Sequence, residues 1–223
     1  MVLSQSVEDY LKTIYKLEEE EADTSTSNIA QAMDVSSASA TNMVKRLDKM
    51  GLVNYESYKG ATLTGAGEKI ALEVIRHHRL LELYLLEVMG YSWDEVHDEA
   101  EKLEHHISEQ FEEKIAELLN DPTHDPHGDP IPNKDLIMPE HQVKPLTEAE
   151  EGKSYLISQI KDQDPELLRY LEQKRLLPGL KITIKEKEPF NGPVTLKSER
   201  TEEVIGREVA SAIFVTEMNK SQK

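Results

Sequence analysis

The stretch from Ser27 to Thr64 constrains the fold most tightly, because its apolar residues fall into two short helical runs split by a turn. Ser27 opens the first run, SNIAQAMD, which Val35 and Ser36 interrupt before a second run, SSASATNMVKRLDKM, that Gly51 can terminate. Two short helices joined by so tight a turn form the helix-turn-helix pattern. LVNYES, YKG and ATLT then read as two strands around a turn containing Gly60, which makes a wing.

The second helix begins with small polar residues, Ser36, Ser37, Ser39, Thr41 and Asn42. Such side chains let a helix N-terminus approach a groove closely, with hydroxyls and an amide available for phosphates and base edges. Lys45, Arg46 and Lys59 are placed to hold a DNA backbone. The whole chain carries a formal charge of −17, which argues against a general polyanion binder. Between Ser36 and Gly60, however, the four cations Lys45, Arg46, Lys49 and Lys59 face only two acids, Asp48 and Glu56. A nucleic-acid surface can survive there.

A first helix, capped by Ser4 or Ser6, repeats Tyr10, Leu11, Ile14 and Leu17 at helical spacing and places Asp9 in its first turn. After the wing, Thr64 begins a long helix with an apolar seam at Ile70, Val74, Leu81, Leu85 and Val88. Ser92 with Glu95 forms a capping box for another helix, predicted to run to Pro122 with Trp93, Val96, Ala100, Leu103, Ile107 and Leu118 on its apolar side. Two long amphipathic helices after a wing predict a dimerisation domain. On the second of them His97, Glu101, Glu104 and His105 share one face beside the seam, where carboxylates lose solvation and need a cation. His78 and Glu82 repeat the arrangement on the preceding helix. With no cysteine in the 223 residues, any metal site here is built from carboxylates, imidazoles, thioethers and carbonyls, which suits hard or borderline divalent ions. Neither HExxH, a nucleophile elbow nor a Gly-rich phosphate loop is present, so the chain is read as a non-enzyme; a metal-dependent hydrolase and a metal-buffering protein are the other classes.

The run from Asp121 to Leu146, rich in proline, histidine and glycine, reads as a linker. SYLISQI, GLKITIKEKE, GPVTLKSE, EVIGREV and AIFVTEM are strand candidates, with a helix in PELLRYLEQKRL, and predict a small SH3-like (FeoA-like) barrel. The predicted architecture is therefore mainly α with a β appendage: a winged helix-turn-helix over 1–73, a helical dimerisation and metal-binding domain over 74–140, a linker over 141–152 and the barrel over 153–223. The start of the chain shows no basic-then-apolar leader and no segment reaches the roughly 20 apolar residues of a membrane span, so a cytoplasmic protein without a membrane partner is expected.

EDYLKTIYKLEEE, the winged helix, HHRLLELYLLEVMG, VHDEAEKLEHHISE and PHGDPIP together resemble the diphtheria toxin repressor family of metal-dependent transcriptional regulators, over essentially the whole chain. The resemblance implies a homodimer that binds palindromic double-stranded operator DNA when loaded with Fe(II) or Mn(II) and represses metal-uptake genes. It places a primary metal site on Asp9, Glu101, Glu104 and His105. In the iron-sensing branch the first two positions look like Met and Cys; hard oxygens in their place favour Mn(II), with Fe(II) the alternative and Zn(II), Co(II) or Cd(II) as substitutes in vitro. An ancillary site would use His78, Glu82 and His97, completed either by Gln163 and Glu166 from the SH3-like domain or by Asp125 and His127 from the PHG segment. The acid that smaller manganese regulators carry on the first helix is Lys12 in this chain.

Overall fold

The computed structural model describes residues 3–57, 59–161, 164–199 and 201–218. They fall into two compact units that do not follow chain order. One comprises residues 1–78, 102–112 and 132–138, the other residues 79–101, 113–131 and 139–223.

In the first unit, helix α1 (Gln5–Glu19) precedes α2 (Thr26–Ala32) and α3 (Ser37–Lys49), the hairpin β1 (Val53–Glu56) and β2 (Gly60–Leu63), and the start of α4 (Gly65–Tyr84). The cap of α2 is Ser25 rather than the expected Ser27; its hydroxyl accepts from the Asn28 amide, and the Asn28 side chain in turn donates to the Asp23 carbonyl. Asp34 adopts φ 50°, and the Val35 amide returns to the Ala30 carbonyl at 2.9 Å, which makes the turn between α2 and α3 tight. The wing pairs antiparallel, Val53 opposite Leu63 and Glu56 opposite Gly60. Gly60 sits at φ 95°, and a Cβ there would lie 2.4 Å from the Thr24 carbonyl oxygen, so glycine is what lets the wing close on the segment that leads into α2. The core joins Leu11 and Ile14 of α1 to Ile29, Ala40, Val44 and Leu47, with Val53 and Ala61 of the wing and Ala71 and Ile75 of α4. A displacement of α1 is therefore felt by the whole helix-turn-helix.

The predicted helix after Ser92 is broken into α5 (Val96–Leu103) and α6 (Glu109–Leu118), with Glu104–His106 in a turn. Helical spacing extends through this point, but the Glu104 and His105 side chains are drawn to partners on α1, and Ser108 recaps the chain by accepting from the Phe111 amide. The end of α4 departs as well: Leu85–Met89 wind as a π turn closed by Gly90 at φ 75°. That wider winding leaves Val88 48% exposed, outside the seam predicted for it, and Leu118 at the end of α6 is 58% exposed.

The second unit is dominated by a six-stranded antiparallel sheet in the order β3-β8-β4-β5-β6-β7. Its strands are β3 (Lys144–Pro145), β4 (Ser154–Ile160), β5 (Lys181–Lys187), β6 (Val194–Lys197), β7 (Glu202–Ile205) and β8 (Ile213–Glu217). Helix α7 (Pro165–Lys174) lies between β4 and β5, its N-terminus capped by Asp164. EVIGREV is only half strand: β7 stops at Ile205 and Gly206 starts α8 (Arg207–Ala212). Trp93 belongs to the same core as Tyr155, Ile157, Leu168, Ile184 and Ile213. The segment read as a linker is packed here through residue 131. His127 and Ile131 are buried, the His124–Pro130 bridge closes the loop, and the Ile160 amide of β4 donates to the His127 carbonyl at 2.8 Å. Proline and glycine supplied the turns, not mobility.

Candidate metal centres

In the first unit Asp9, Glu104 and His105 offer ligand atoms that all lie within 4.8 Å of one another. Asp9 comes from the first turns of α1, the other two from the turn after α5. The imidazole of His105 is oriented from behind: Nδ1–H donates to Glu8 Oε2 at 2.6 Å. A carboxylate can only accept, so Nδ1 carries a proton and Nε2 is the ring atom left to ligate an ion. That Nε2 is buried, 2.8 Å from Asp9 Oδ1 and 3.2 Å from Glu104 Oε1, and makes no hydrogen bond. An orphaned imidazole nitrogen between two carboxylate oxygens, with its other nitrogen fixed by a third carboxylate, fits a metal ligand set. Burial lifts the Asp9 carboxyl above its usual range although His105 pulls it down. Burial pushes Glu104 the same way, but the hydrogen bond from His78 and the ammonium of Lys12 overcome it and hold that carboxyl low. His78 Nδ1–H donates to Glu104 Oε2 at 2.5 Å, and Lys12 Nζ donates to both Glu104 oxygens, at 2.7 and 2.8 Å.

The second unit holds another group, Glu82, Asp125 and His127, again within 4.8 Å and all buried. His127 Nε2–H donates to the Trp93 carbonyl at 3.1 Å while its ring stacks on the indole, 5.1 Å between centroids. The tautomer is thereby set, and the remaining Nδ1 is buried without a hydrogen bond, 3.9 Å from Glu82 Oε1. His97 Nδ1 lies 3.0 Å from the same Glu82 oxygen. Asp125 Oδ1 accepts from the backbone amides of His127 and Asp129, at 2.8 and 2.9 Å, so the loop folds around its own carboxylate. Burial, then the charges of Asp129 and Glu82, hold the Asp125 carboxyl well above the ordinary range despite Arg79 nearby. Gln159 Nε2 donates to Asp129 Oδ1 at 2.7 Å, fastening the loop to β4.

Of the predicted ligands, Asp9, Glu104 and His105 come together in one group, Glu82, Asp125 and His127 in another. Glu101 is in the second unit, 55% exposed, with Oε1 3.8 Å from His97 Nε2. Glu166 is exposed in the first turn of α7 and joins no such group among the described residues, while Gln163 lies outside the described residues. Sequence reasoning missed Glu8, the carboxylate behind His105, and Trp93, whose carbonyl sets His127. For Glu8 there was a signal, since a ligating histidine regularly donates its second nitrogen to a carboxylate and Glu8 adjoins Asp9. Nothing in the sequence marks the Trp93 carbonyl.

On α3, Ser36 caps the helix by accepting from the Ser39 amide at 3.2 Å, and the Thr41 hydroxyl donates to the Ser37 carbonyl at 2.7 Å. These hydroxyls serve the helix first. Ser37, Ser39, Asn42, Lys45 and Arg46 are exposed, and Lys59 on the wing pairs with Glu56 at 2.7 Å in full solvent, a contact of little strength. No helix among the described residues is long and apolar enough to cross a membrane.

Three family models match in chain order: iron dependent repressor, N-terminal DNA binding domain, over residues 2–61; iron dependent repressor, metal binding and dimerisation domain, over 64–133; and the FeoA domain over 144–217. The iron-dependent repressor IdeR of Mycobacterium tuberculosis is 31% identical over 229 residues, spanning 96% of this chain and 97% of that protein. The HTH-type transcriptional regulator MntR of Oceanobacillus iheyensis is 40% identical over 115 residues, 52% of this chain and 78% of that one. A solved manganese-dependent transcriptional repressor in complex with manganese superposes with a TM-score of 0.87 at 34% identity, covering 95% of this chain and 100% of that chain.

Proposed function

The chain belongs to the iron-dependent and diphtheria toxin repressor family of metal-dependent, DNA-binding transcriptional repressors, and on that premise we propose that it is a manganese-responsive member acting as a homodimer on a palindromic operator. The observation that carries this reading is the pair of buried imidazole nitrogens without a hydrogen bond, His105 Nε2 and His127 Nδ1, each facing carboxylate oxygens. An all-oxygen and nitrogen donor set favours Mn(II) over softer ions, although Fe(II) binds such sites more strongly on intrinsic affinity.

Asp9, Glu104 and His105 form the primary site in this reading, with Glu101 retained as a fourth ligand on the sequence resemblance alone. Glu82, Asp125 and His127 form the second, with His97 behind Glu82 and His78 kept from the same resemblance. The buried Asp125–His127 loop supports the linker-borne arrangement over one completed by Glu166. A divalent ion at the primary site supplies charge that neutralises the carboxylates and ties α1 to the turn after α5. Asp9 holds α1 to that tie, and Leu11 and Ile14 pass its position to α2 and α3 through the shared core. Moving a two-state reading head from 1:99 to 99:1 takes about 5.5 kcal/mol of differential binding. Operator DNA must then tighten metal binding by the same factor. Ser37, Ser39 and Asn42 read the groove while Lys45, Arg46 and Lys59 hold phosphates, with Ser36 and Thr41 fixing the helix start. In a homodimer the two α3 helices would lie about one duplex turn apart, roughly 34 Å. Val88, Met89 and Leu118, 48, 56 and 58% exposed, offer apolar surface for the second copy.

The test is fluorescence anisotropy against DNA from the gene's own upstream region, with chelator, Mn(II), anaerobic Fe(II) and Zn(II). Binding that appears with Mn(II) and disappears with chelator supports the proposal. A preference for Fe(II) reassigns the metal, and binding indifferent to metal refutes it in favour of a metal-buffering or purely structural role for the two groups.

A further inference from the structure

Lys12 is a lysine buried to 6% exposure whose ammonium reaches a carboxylate 92 residues away in the chain, itself 2% exposed, and contacts both of its oxygens. It stands three residues after Asp9 on α1, so the helix presents a candidate ligand and a fixed cation on one face. Glu104 Oε2 also receives His78 Nδ1–H at 2.5 Å, which leaves Oε1 as the oxygen turned toward His105 Nε2. Lys12 Nζ sits 2.7 Å from that same Oε1.

We infer that Lys12 is the resident counter-cation of Glu104, that a divalent ion fills the Asp9, Glu104 and His105 site only by displacing its ammonium from Oε1, and that Lys12 therefore sets the metal concentration at which the site fills. The inference rests on the primary-site reading above. A dication on Oε1 and an ammonium 2.7 Å from the same atom would be like charges a few ångströms apart in a buried site, where water screens them poorly. The two occupants exclude each other. Without metal, the Lys12 ammonium already neutralises Glu104, and the contact that an ion adds is the one to Asp9. Metal binding is then an exchange of cations at one oxygen, and the affinity observed is the difference between two occupants.

The experiment measures Mn(II) affinity by the electron paramagnetic resonance signal of free Mn(II) for the full-length wild type, Lys12→Gln, Lys12→Arg and Asp9→Ala. Lys12→Gln should bind Mn(II) at least tenfold more tightly, Lys12→Arg should stay within about threefold of wild type, and Asp9→Ala should lose the site. Lys12→Gln unchanged or weaker, with Asp9→Ala deficient, overturns the inference and leaves the metal site standing. Asp9→Ala binding like wild type overturns both. Because Lys12→Gln leaves a buried carboxylate without its cation and can fail to fold, the wild type carries a second test. The Lys12 side-chain ammonium resonance, assigned by its absence from Lys12→Arg, should shift or vanish on adding diamagnetic Cd(II). A resonance identical with and without Cd(II), at a concentration that fills the site, overturns the inference.

Discussion

Replacing Gly128 with alanine tests how the second metal group is held together. Gly128 sits at φ 88°, and a Cβ there would lie 1.9 Å from the Ser158 carbonyl oxygen of β4. The left-handed conformation alone costs an L side chain about 1–2 kcal/mol. The overlap is more than an ångström, against backbone that is itself part of a sheet, so the loop must move away from β4. That motion gives up the Ile160 amide to His127 carbonyl bond and the Gln159 to Asp129 bond, each worth about 1 kcal/mol. The total is about 3–4 kcal/mol. For a chain of this size it lowers the midpoint of thermal unfolding by roughly 6–15 °C if unfolding is cooperative. His127 and Asp125 move with the loop, so the second group should lose metal affinity while Asp9, Glu104 and His105 keep theirs. Differential scanning calorimetry of the apo protein and Mn(II) stoichiometry are the assays. A Gly128→Ala protein with an unchanged midpoint and both ions bound as in wild type would refute the steric argument and the placement of the loop.

Trp93→Ala should destabilise the second unit by about 3–5 kcal/mol, since the indole is 5% exposed, lies in the sheet core and donates to the Pro126 carbonyl; chemical denaturation followed by circular dichroism measures it, and a loss under 1 kcal/mol contradicts the packing. Binding of Mn(II) to the second group should release a proton and strengthen as pH rises, because burial and the neighbouring Asp129 and Glu82 hold Asp125 above the usual carboxylate range; calorimetry in buffers of different ionisation enthalpy reads the proton count, and zero release refutes it. The sign for stability is opposite: the apo native state binds the extra proton, so this group's contribution falls as pH rises above the ordinary carboxylate range toward the raised value. Lys45→Ala should weaken binding to all DNA sequences and flatten the salt dependence, whereas Asn42→Ala should relax preference at particular bases; an operator screen in which the two behave alike refutes that division.

The helix-turn-helix and wing were legible because local rules decide them: apolar spacing, a serine cap, a glycine after α3 and another in the wing turn. Five of the six sheet strands were legible from β-branched runs; EVIGREV misled, since a strand and a short helix share those residues, and the two-residue β3 lay in the segment read as a linker. Helical spacing correctly put Glu104 and His105 beside a buried seam, yet it also predicted an unbroken helix through them. The break exists because α1, nearly a hundred residues earlier, supplies Glu8, Asp9 and Lys12 as partners. No window of sequence contains that attraction.

Composition and spacing by themselves determined the donor chemistry on the predicted faces: with no cysteine no thiolate was available, and the groups set at helical intervals were carboxylates and imidazoles. Tertiary structure decided which of these groups meet, and in what state. It brought Glu8 behind His105 and the Trp93 carbonyl behind His127, so that each ring turns its second nitrogen toward carboxylates, and it placed the Lys12 ammonium on Glu104. Ligand type is a property of residues, whereas a lone pair's direction, a carboxylate's burial and a competing cation are properties of packing between segments far apart in the chain.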